Sequence, residues 1–245
     1  MKRRNLLVAL GAGLVAGCSK IGQSDPMQKL FGWAEDWNRG AHRAMAGRQA
    51  LVPEYAPADI SPFFRGNGTT DPDDPVYAAA AAEGFAGWTL AVRGLVDHEM
   101  DFTLDRLKAL PQRTQITRHD CVEGWSAIGQ WTGPQLGMLL DMAGVRPEAR
   151  YIVFRCADRL GGAPYYESVD MNDAYHPQTI VAHALNGEPL PVKNGAPLRV
   201  RIERQLGYKH AKYLTAIEAV ASLDGIGEGG GGYWEDKGYQ WYAGV

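Results

Sequence analysis

The chain has 245 residues and a formal net charge of -3, and 45% of its residues are hydrophobic. This length and composition are sufficient for one large hydrophobic core or two small domains. Acidic and basic residues are interspersed, without the basic stripe that a nucleic-acid-binding surface requires. We therefore exclude nucleic acid as a partner.

The first eighteen residues differ from the rest of the chain. Basic residues at 2–4 precede an uncharged run from Leu6 to Ala16, and small residues lead into Cys18. This order is typical of a bacterial export signal, and the run is shorter than the roughly 20 residues that a membrane-spanning helix needs. Arg3 and Arg4 resemble a twin-arginine signal, and the residues before Cys18 resemble a lipoprotein cleavage site. The sequence therefore predicts a periplasmic protein with Cys18 as a candidate lipid attachment site, and a buried N-terminal helix is the alternative.

The remaining chain divides into a polar segment and one larger domain. Residues 19–60 predict a tether followed by one or two helices, and the Pro- and Gly-containing residues 61–69 predict a loop that opens a domain over 61–245. Apolar spacing predicts helices over 76–83, 102–110, 136–143 and 179–185. Strands are predicted over 89–96, 115–118, 151–154, 198–202 and 213–221. This mixture predicts an α+β fold with a mixed sheet and short helices.

The cysteines give the first chemical clue. Cys121 follows a predicted strand beside Arg118 and His119, and a nearby positive charge favours the thiolate that binds a metal. From the residues alone, a buried thiol or half of a disulfide is the more common role of such a cysteine, and Cys156 is available as the other half. No C-x-x-C-H sequence occurs, so we expect no covalently attached haem.

Three separated motifs carry a family resemblance. Residues 121–126 read Cys-Val-Glu-Gly-Trp-Ser and are followed by Trp131-Thr132-Gly133, residues 194–199 read Asn-Gly-Ala-Pro-Leu-Arg, and residues 207–212 read Gly-Tyr-Lys-His-Ala-Lys. In this order the motifs resemble the molybdopterin-binding domain of the sulfite oxidase family, nearest to its branch of bacterial periplasmic methionine sulfoxide reductase catalytic subunits. The resemblance covers 61–245 and implies the sulfite oxidase-type molybdopterin-binding fold. It leaves no room for the C-terminal dimerisation domain of sulfite oxidases, so we expect a monomer.

The resemblance also implies a molybdenum–molybdopterin cofactor and assigns its contacts. Cys121 falls on the metal-ligating cysteine of the family and is the predicted catalytic residue. The predicted cofactor-binding residues are Asn67, Arg65, Cys156, Asn194, Arg199, His210, Ala211 and Lys212. An Arg fork, a Lys and the backbone N–H groups of a Gly-containing turn suit the phosphate of the pterin. A solvated strand face is the alternative for Arg199 and Lys212.

Two positions depart from the family. Cys156 stands where the methionine sulfoxide reductases have Thr, so a backbone contact to the cofactor would survive and a hydroxyl contact would not. Gly66 stands where sulfite oxidases have an Arg that helps to bind the anionic substrate. This second departure disfavours sulfite as the substrate.

The function implied by the resemblance is two-electron oxygen-atom transfer, with the reduction of an S-oxide or N-oxide as the predicted reaction. One alternative is the oxidation of a small anion such as sulfite, for which the candidate cations are Arg65, Arg118, His119 and Arg155. Another is a lipid-anchored binding module that lost the metal. Electrons would come from a separate partner, a membrane haem protein or a periplasmic cytochrome. The aromatic residues 233–242 predict core or domain-closing contacts, and a lining of the substrate mouth is the alternative.

Overall fold

The computed structural model describes residues 24–47 and 50–245, and contacts divide the chain into two units, residues 1–47 and 48–245. The described part of the first unit is helix α1 (Asp25–Ala46). It follows Ser24 and ends at Gly47, whose N–H donates to the Arg43 carbonyl oxygen at 3.0 Å. The predicted export signal, including Cys18, lies outside the described residues.

The second unit contains short helices. In its described part they are α2 (Pro75–Ala82), α3 (Leu104–Ala109), α4 (Leu136–Ala143) and α5 (Met171–Ala174). Helix α4 buries Leu136, Leu139, Leu140 and Ala143, which share one helical face, and the left-handed Gly144 (φ 68°) ends it. Within 24–47 and 50–245, no helix combines the length and the apolar character needed to cross a bilayer.

The described part of the second unit also contains eleven strands, together with loops and four 3-10 turns. The strands are β1 (Thr89–Gly94), β2 (Met100–Thr103), β3 (Gln112–Cys121), β4 (Trp125–Pro134), β5 (Tyr151–Leu160), β6 (Ala163–Asp170), β7 (Ile180–Ala182), β8 (Ala184–Leu185), β9 (Glu188–Pro189), β10 (Arg199–Arg201) and β11 (Leu214–Val220). The largest sheet has the order β2-β1-β11-β5-β6. Strand β1 runs parallel to β11 and the other neighbours are antiparallel, so the predicted mixed sheet is confirmed.

Two smaller antiparallel sheets complete the second unit, with the orders β3-β4-β8-β9 and β10-β7. Strands β3 and β4 form a long hairpin that closes with Cys121 opposite Trp125. The residues of β3 that point inward are polar apart from the last: Gln115, Thr117, His119 and Cys121 are all buried. Buried polar side chains in a row on one face of a strand need polar partners. They therefore indicate that this face of β3 borders a polar site and not an apolar core.

One predicted element is wrong. Residues 179–185 were predicted as a helix, whereas the chain forms β7 and β8 there. Strand β7 consists of Ile180, Val181 and Ala182, all buried, and pairs with β10 through Val181 opposite Val200. β-branched residues that are buried on both faces favour a strand, and the tertiary pairing decides between the two structures for so short an apolar run.

The apolar core of the second unit has two parts. The larger lies against the five-stranded sheet and includes helix α4 and the buried aromatic residues Tyr77, Phe102 and Phe154. The smaller surrounds Trp131 and includes Phe64 and Ile180. Trp131 faces Arg199 and Arg201 of β10, and Phe64 faces His119 of β3, so the second part of the core reaches the polar inner face of both strands.

Candidate active site

A cleft opens at the end of β3. It is lined by Asn67, Gly68, Thr69, Cys121, Val122, Glu123, Asp158, Leu160, Tyr165, Arg199, Gly207, Tyr208, His210, Lys212, Trp234 and Tyr239. The space between these walls is about 700 Å³ when the open mouth is included. The walls combine aromatic and aliphatic side chains with a few convergent polar groups, which is the character of a site that holds a small ligand or a cofactor.

Cys121 lies in the wall of the cleft, at the last position of β3. It is 6% exposed, and the Asn67 side-chain N–H donates to its Sγ at 3.6 Å. Burial raises the pKa of the Cys121 thiol, while the backbone N–H of Glu123, the Asn67 side chain and the charge of Arg65 each oppose that rise. A metal bound at Sγ would remove the proton.

A buried charge network holds the strand that carries Cys121. Arg201 donates to both oxygens of Glu203 at 2.9 and 2.6 Å and to His119 Nδ1 at 2.8 Å. Because Nδ1 accepts this bond, the proton of the neutral imidazole lies on Nε2. Burial, and then the charge of Arg201, lowers the pKa of His119 well below its usual value. His119 therefore stays neutral and fixes β3 two residues before Cys121.

Arg199 is a buried cation of a different kind. It donates to the carbonyl oxygens of Asn194 at 3.0 Å and of His210 at 3.3 Å, and its guanidinium carbon lies 5.0 Å from the centre of the Trp131 ring. Burial and the charge of Arg201 lower the pKa of Arg199 to about 9. Within the described part of the chain, its Nε has no hydrogen-bond partner and the guanidinium has no carboxylate within ion-pair distance.

Lys212 connects the 207–212 segment to the loop that contains Asn67 and Thr69. It is 8% exposed, and its Nζ donates to the carbonyl oxygens of Asn67 at 2.6 Å and of Thr69. Burial, and then the charge of Arg199, lowers the pKa of Lys212 to about 7. The lysine thus fixes the loop that places the Asn67 amide against Cys121.

Several further buried polar atoms remain open around the cleft, and two of them belong to His210 and Asn194. His210 shares a hydrogen bond at 3.0 Å from its Nε2 to the Gln205 carbonyl oxygen, which places the proton on Nε2 and leaves Nδ1 as an acceptor. Among the residues that the structure describes, neither His210 Nδ1 nor Asn194 Nδ2 has a hydrogen-bond partner. Buried polar atoms without partners indicate a ligand that supplies them.

The structure brings most of the predicted site residues together. Those that line the cleft are Asn67, Cys121, Arg199, His210 and Lys212. Asn194 lies beside it, bonded to Arg199. Arg65 lies with its guanidinium carbon 5.7 Å from the Trp125 ring centre, close enough for its charge to act on Cys121.

The other two predicted contacts do not line the cleft. Ala211 is buried, and its backbone already donates to the Lys209 carbonyl oxygen and accepts from the Val200 N–H. Cys156 lies in β5 opposite Leu214. Cys121 and Cys156 are both free thiols, so the disulfide alternative is wrong.

Metal binding by the protein alone would need more ligands than this site offers. In the described residues no group of three or more His, Cys, Asp and Glu side chains is arranged to hold a metal ion. Cys121 could therefore supply one ligand, and the others would come from a bound cofactor.

The outer wall of the cleft contains residues that the sequence did not assign to the site. Trp234 and Tyr239 come from the C-terminal tail (residues 222–245) and stack with ring centres 5.1 Å apart, and Tyr208 meets Tyr239 edge to face. Both interpretations of the aromatic residues in 233–242 thus apply, since the tail closes the fold and also lines the cleft. Only their density in the sequence signalled this role.

Comparison with known proteins identifies relatives of the whole described domain. The family model described as the oxidoreductase molybdopterin binding domain matches residues 78–224. A relative from Azospira oryzae, provisionally named protein-methionine-sulfoxide reductase subunit YedZ1, is 37% identical over 234 residues, which are 96% of this chain and 83% of the relative.

Other relatives match part of the chain. The protein-methionine-sulfoxide reductase catalytic subunit MsrP of Xanthomonas axonopodis pv. citri is 35% identical over 165 residues, which are 63% of this chain and 51% of MsrP, so the match spans about half the length of that relative. The solved structure of the sulfane dehydrogenase SoxCD from Paracoccus pantotrophus aligns with a TM-score of 0.52 at 22% identity, over 56% of this chain and 39% of that one. Together with the family match, this likeness confirms the predicted fold class.

Proposed function

Because the chain belongs to the oxidoreductase molybdopterin binding family, it is a molybdopterin-dependent oxidoreductase, and we propose that it reduces an S-oxide. Such a reduction uses two electrons and two protons and releases a thioether and water. The relatives YedZ1 and MsrP are named as subunits of methionine sulfoxide reductases, which supports this direction. The observation that carries the proposal is the division of the cleft into an inner part with cations that lack ion-pair partners and an outer part without cations.

The inner part of the cleft fits the cofactor. Cys121 Sγ would be the ligand to molybdenum, which when bound supplies the exchange of two electrons that accompanies transfer of an oxygen atom. The unpartnered Nε of Arg199 and Nδ2 of Asn194 are donors suited to the anionic phosphate of the pterin. His210 Nδ1 offers an acceptor to the N–H groups of the same ligand. The buried cations that lack carboxylate partners thus match a ligand that brings its own negative charge.

The outer part of the cleft has no cationic side chain among its lining residues and is largely apolar apart from the exposed carboxylate of Glu123. Val122 and Tyr239 are 48% and 39% exposed, so they lie at the mouth, together with Leu160 and Trp234. Aromatic faces and aliphatic groups favour a neutral substrate with an apolar arm, and thioether sulfur packs well against aromatic rings. This surface suits a sulfoxide better than a small anion such as sulfite.

The cations proposed for sulfite lie elsewhere. None of the four lines the cleft: Arg65, Arg118, His119 and Arg155. Arg118 and Arg155 are engaged by carboxylates at 2.9 and 2.8 Å, and His119 is buried and neutral. Gly66 adds to this argument because a Cβ there would lie 3.0 Å from the Lys193 carbonyl oxygen, so an arginine would require the loop to move.

The electron donor and the location belong to the same proposal. No haem attachment motif occurs in the sequence, so we infer that a separate haem-containing protein delivers the electrons singly. The names of the relatives, which describe subunits, support a second component. The export-like residues 1–18 support action in the periplasm, with Cys18 as the candidate lipid attachment site.

The proposal is tested by metal content followed by a substrate panel. Protein isolated from a host that makes the pterin should contain molybdenum and should reduce a methionine sulfoxide peptide in preference to an N-oxide, without oxidising sulfite. Cys121→Ser should fold but lose turnover by at least roughly 10³-fold, because the metal loses its protein ligand. Cys156→Ser is the matched control and should keep turnover, because its side chain lies outside the cleft walls.

Three other results would each reject the proposal. Sulfite oxidation without sulfoxide reduction would favour the anion-oxidising alternative. A clear absence of molybdenum would favour a binding module that kept the fold. Full turnover by the Cys121→Ser protein would remove Cys121 from the chemistry.

A further inference from the structure

The C-terminal tail covers the exposed edge of the largest sheet. Strand β6 is an edge strand, and its residues 165–168 all contact the tail. Tyr165 stacks on Tyr233 with ring centres 5.6 Å apart, and the Tyr166 hydroxyl donates to Asp236 at 2.6 Å. Consecutive residues of β6 therefore contact the tail, and the tail shields this edge of the sheet from pairing with another chain.

A buried ion cluster joins this tail to the active-site segment. The Lys209 cluster consists of Lys209, Glu167 of β6 and Glu235 of the tail, and each of these side chains is at most 1% exposed. Lys209 Nζ lies 2.8 Å from Glu167 Oε2 and also donates to Glu235 Oε1. One lysine thus connects the sheet, the tail and the 207–212 segment, whose Tyr208 lines the cleft.

The Lys209 cluster requires these three groups to be together. Burial raises the pKa of the Glu167 carboxyl well above its usual value, Lys209 opposes that rise and the Glu235 charge adds to it. Burial also acts to lower the pKa of Lys209, but the two carboxylates outweigh this effect and the pKa is raised. Removing Lys209 would leave two buried carboxylates without their cation, whereas removing Glu235 would leave the Lys209–Glu167 pair without its link to the tail. The cluster therefore favours one position of the tail.

The position of the tail decides the shape of the cleft mouth. Glu235 directly follows Trp234, and Trp234 stacks on Tyr239 across the short turn 235–237. Both aromatic residues line the cleft. The next residue, Asp236, accepts hydrogen bonds from the N–H groups of Glu228 and Gly230 at 3.0 and 2.8 Å, which orders the glycine-rich part of the tail.

We propose that Glu235, held by Lys209 and Glu167, is a positioning residue that fixes Trp234 and Tyr239 as the wall recognising the apolar arm of the substrate. This inference rests on the proposed S-oxide reduction. The wall acts on binding of the arm rather than on the reacting sulfoxide group, so it sets KM for substrates with a long apolar arm. A small sulfoxide such as dimethyl sulfoxide has no such arm and is insensitive to it.

The test compares two glutamates of the same tail in the holoenzyme. Glu235→Ala removes the buried contact, whereas Glu228→Ala removes a carboxylate that is 69% exposed and pairs with Lys237 at the surface. We expect Glu235→Ala to raise KM for a methionine sulfoxide peptide about tenfold with kcat within roughly twofold, and to leave KM for dimethyl sulfoxide unchanged. Hydrogen exchange of residues 225–242 should accelerate at least about tenfold. Glu228→Ala should change neither the KM for the peptide nor the hydrogen exchange of the tail. Glu235→Gln keeps an acceptor for Lys209, so it should show the wild-type value of each.

Exchange is measured without substrate, so it tests the attachment of the tail even if the chain proves to reduce no sulfoxide. The inference is overturned if residues 225–242 of a metal-loaded Glu235→Ala protein exchange hydrogen at the wild-type rate. It is also overturned if the tail exchanges faster but KM for the methionine sulfoxide peptide is unchanged. Should Glu235→Ala fail to load the cofactor, Trp234→Ala removes the wall directly. An unchanged KM for the peptide in that variant also overturns the inference.

Discussion

Lys209 and Lys212 are three residues apart and both are buried, yet their surroundings are opposite. Lys209 contacts two carboxylates, which raise its pKa. Lys212 donates to backbone carbonyl oxygens, and burial lowers its pKa to about 7. Lys209 is paired with two carboxylates, whereas Lys212 has none within ion-pair distance among the described residues, and the Asp158 charge only partly opposes the fall in its pKa. The difference separates a lysine that holds the fold from one that is suited to an anionic ligand.

The same contrast occurs at Trp131. The guanidinium carbons of Arg199 and Arg201 lie 5.0 and 4.4 Å from its ring centre. Arg201 forms a paired contact with both oxygens of Glu203, whereas Arg199 donates to carbonyl oxygens only. Each cation without a carboxylate partner, Arg199 or Lys212, lines the cleft. Charge pairing therefore separates the residues that we propose to bind the cofactor from structural ones within one strand and one turn.

The largest expected effect comes from the two arginines. In the cofactor-free protein, Arg201→Met should lose about 3 to 5 kcal/mol of unfolding free energy, because Glu203 stays buried without its cation. Arg199→Met should stay within about 1 kcal/mol of wild type, because the loss of two hydrogen bonds is offset by removal of an unpaired buried charge. Urea-induced unfolding measures both.

For pterin content we expect the opposite order of the two variants, with the larger loss in Arg199→Met. Arg199→Met should retain much less pterin on isolation, whereas the pterin content of folded Arg201→Met should remain closer to wild type. Equal losses of stability in the cofactor-free proteins would contradict the distinction between paired and unpaired cations.

The sequence predicted the inner part of the cleft better than its outer part. Cys121, Arg199 and Lys212 lie in short motifs whose residue types state their chemistry, and a family resemblance places the motifs in one site. Helix α4 was predicted with its observed bounds because its apolar spacing and Gly144 are local signals. These features depend on neighbours in the sequence.

The outer part depends on contacts that are distant in the sequence. Glu167 and Glu235 meet at Lys209 only after the tail has packed on β6, and neither residue lies in a recognisable motif. Residues 179–185 were mistaken for a helix for a similar reason, since pairing of β7 with β10 decides their structure. Local patterns contain no information on such partners.

The second prediction uses pH to separate the two lysines. The pKa of Lys212 is lowered from 10.5 to about 7 in the folded chain. Between these values the unfolded chain binds more protons at this residue, so stability of the cofactor-free protein should rise with pH. The rise should be roughly 2 to 4 kcal/mol greater in wild type than in Lys212→Met.

Urea midpoints at about pH 7 and about pH 9.5 measure this difference. Lys209 predicts no change over this interval, because its pKa is raised above 10.5 and the stability that it contributes is lost only when the pH rises through that higher value. An equal pH dependence in wild type and Lys212→Met would show that the pKa of Lys212 is not lowered and that the lysine stays protonated in the folded, cofactor-free chain.

The smallest expected effect concerns the space around the Lys209 cluster. A Cβ at Gly232 would lie 2.1 Å from Glu235 Oε2 and 2.6 Å from Glu167 Oε2, so the two carboxyl groups leave no room for a methyl group. Gly232→Ala should therefore cost about 1 to 3 kcal/mol by overpacking. Thermal unfolding would show a fall in Tm of roughly 2 to 4 °C for each kcal/mol in a domain of this size.

Gly87→Ala is the matched control, because a Cβ there has nothing within 4 Å and the backbone is not in the left-handed region. It should leave Tm unchanged or raise it slightly, since alanine reduces the freedom of the unfolded chain. A Gly232→Ala protein as stable as this control would mean that the carboxyl groups can move apart without loss. The Lys209 cluster would then tolerate displacement of Glu235, and the contrast between Lys209 as a fold-holding lysine and Lys212 as a ligand-binding one would rest on charge alone, without the support of close packing.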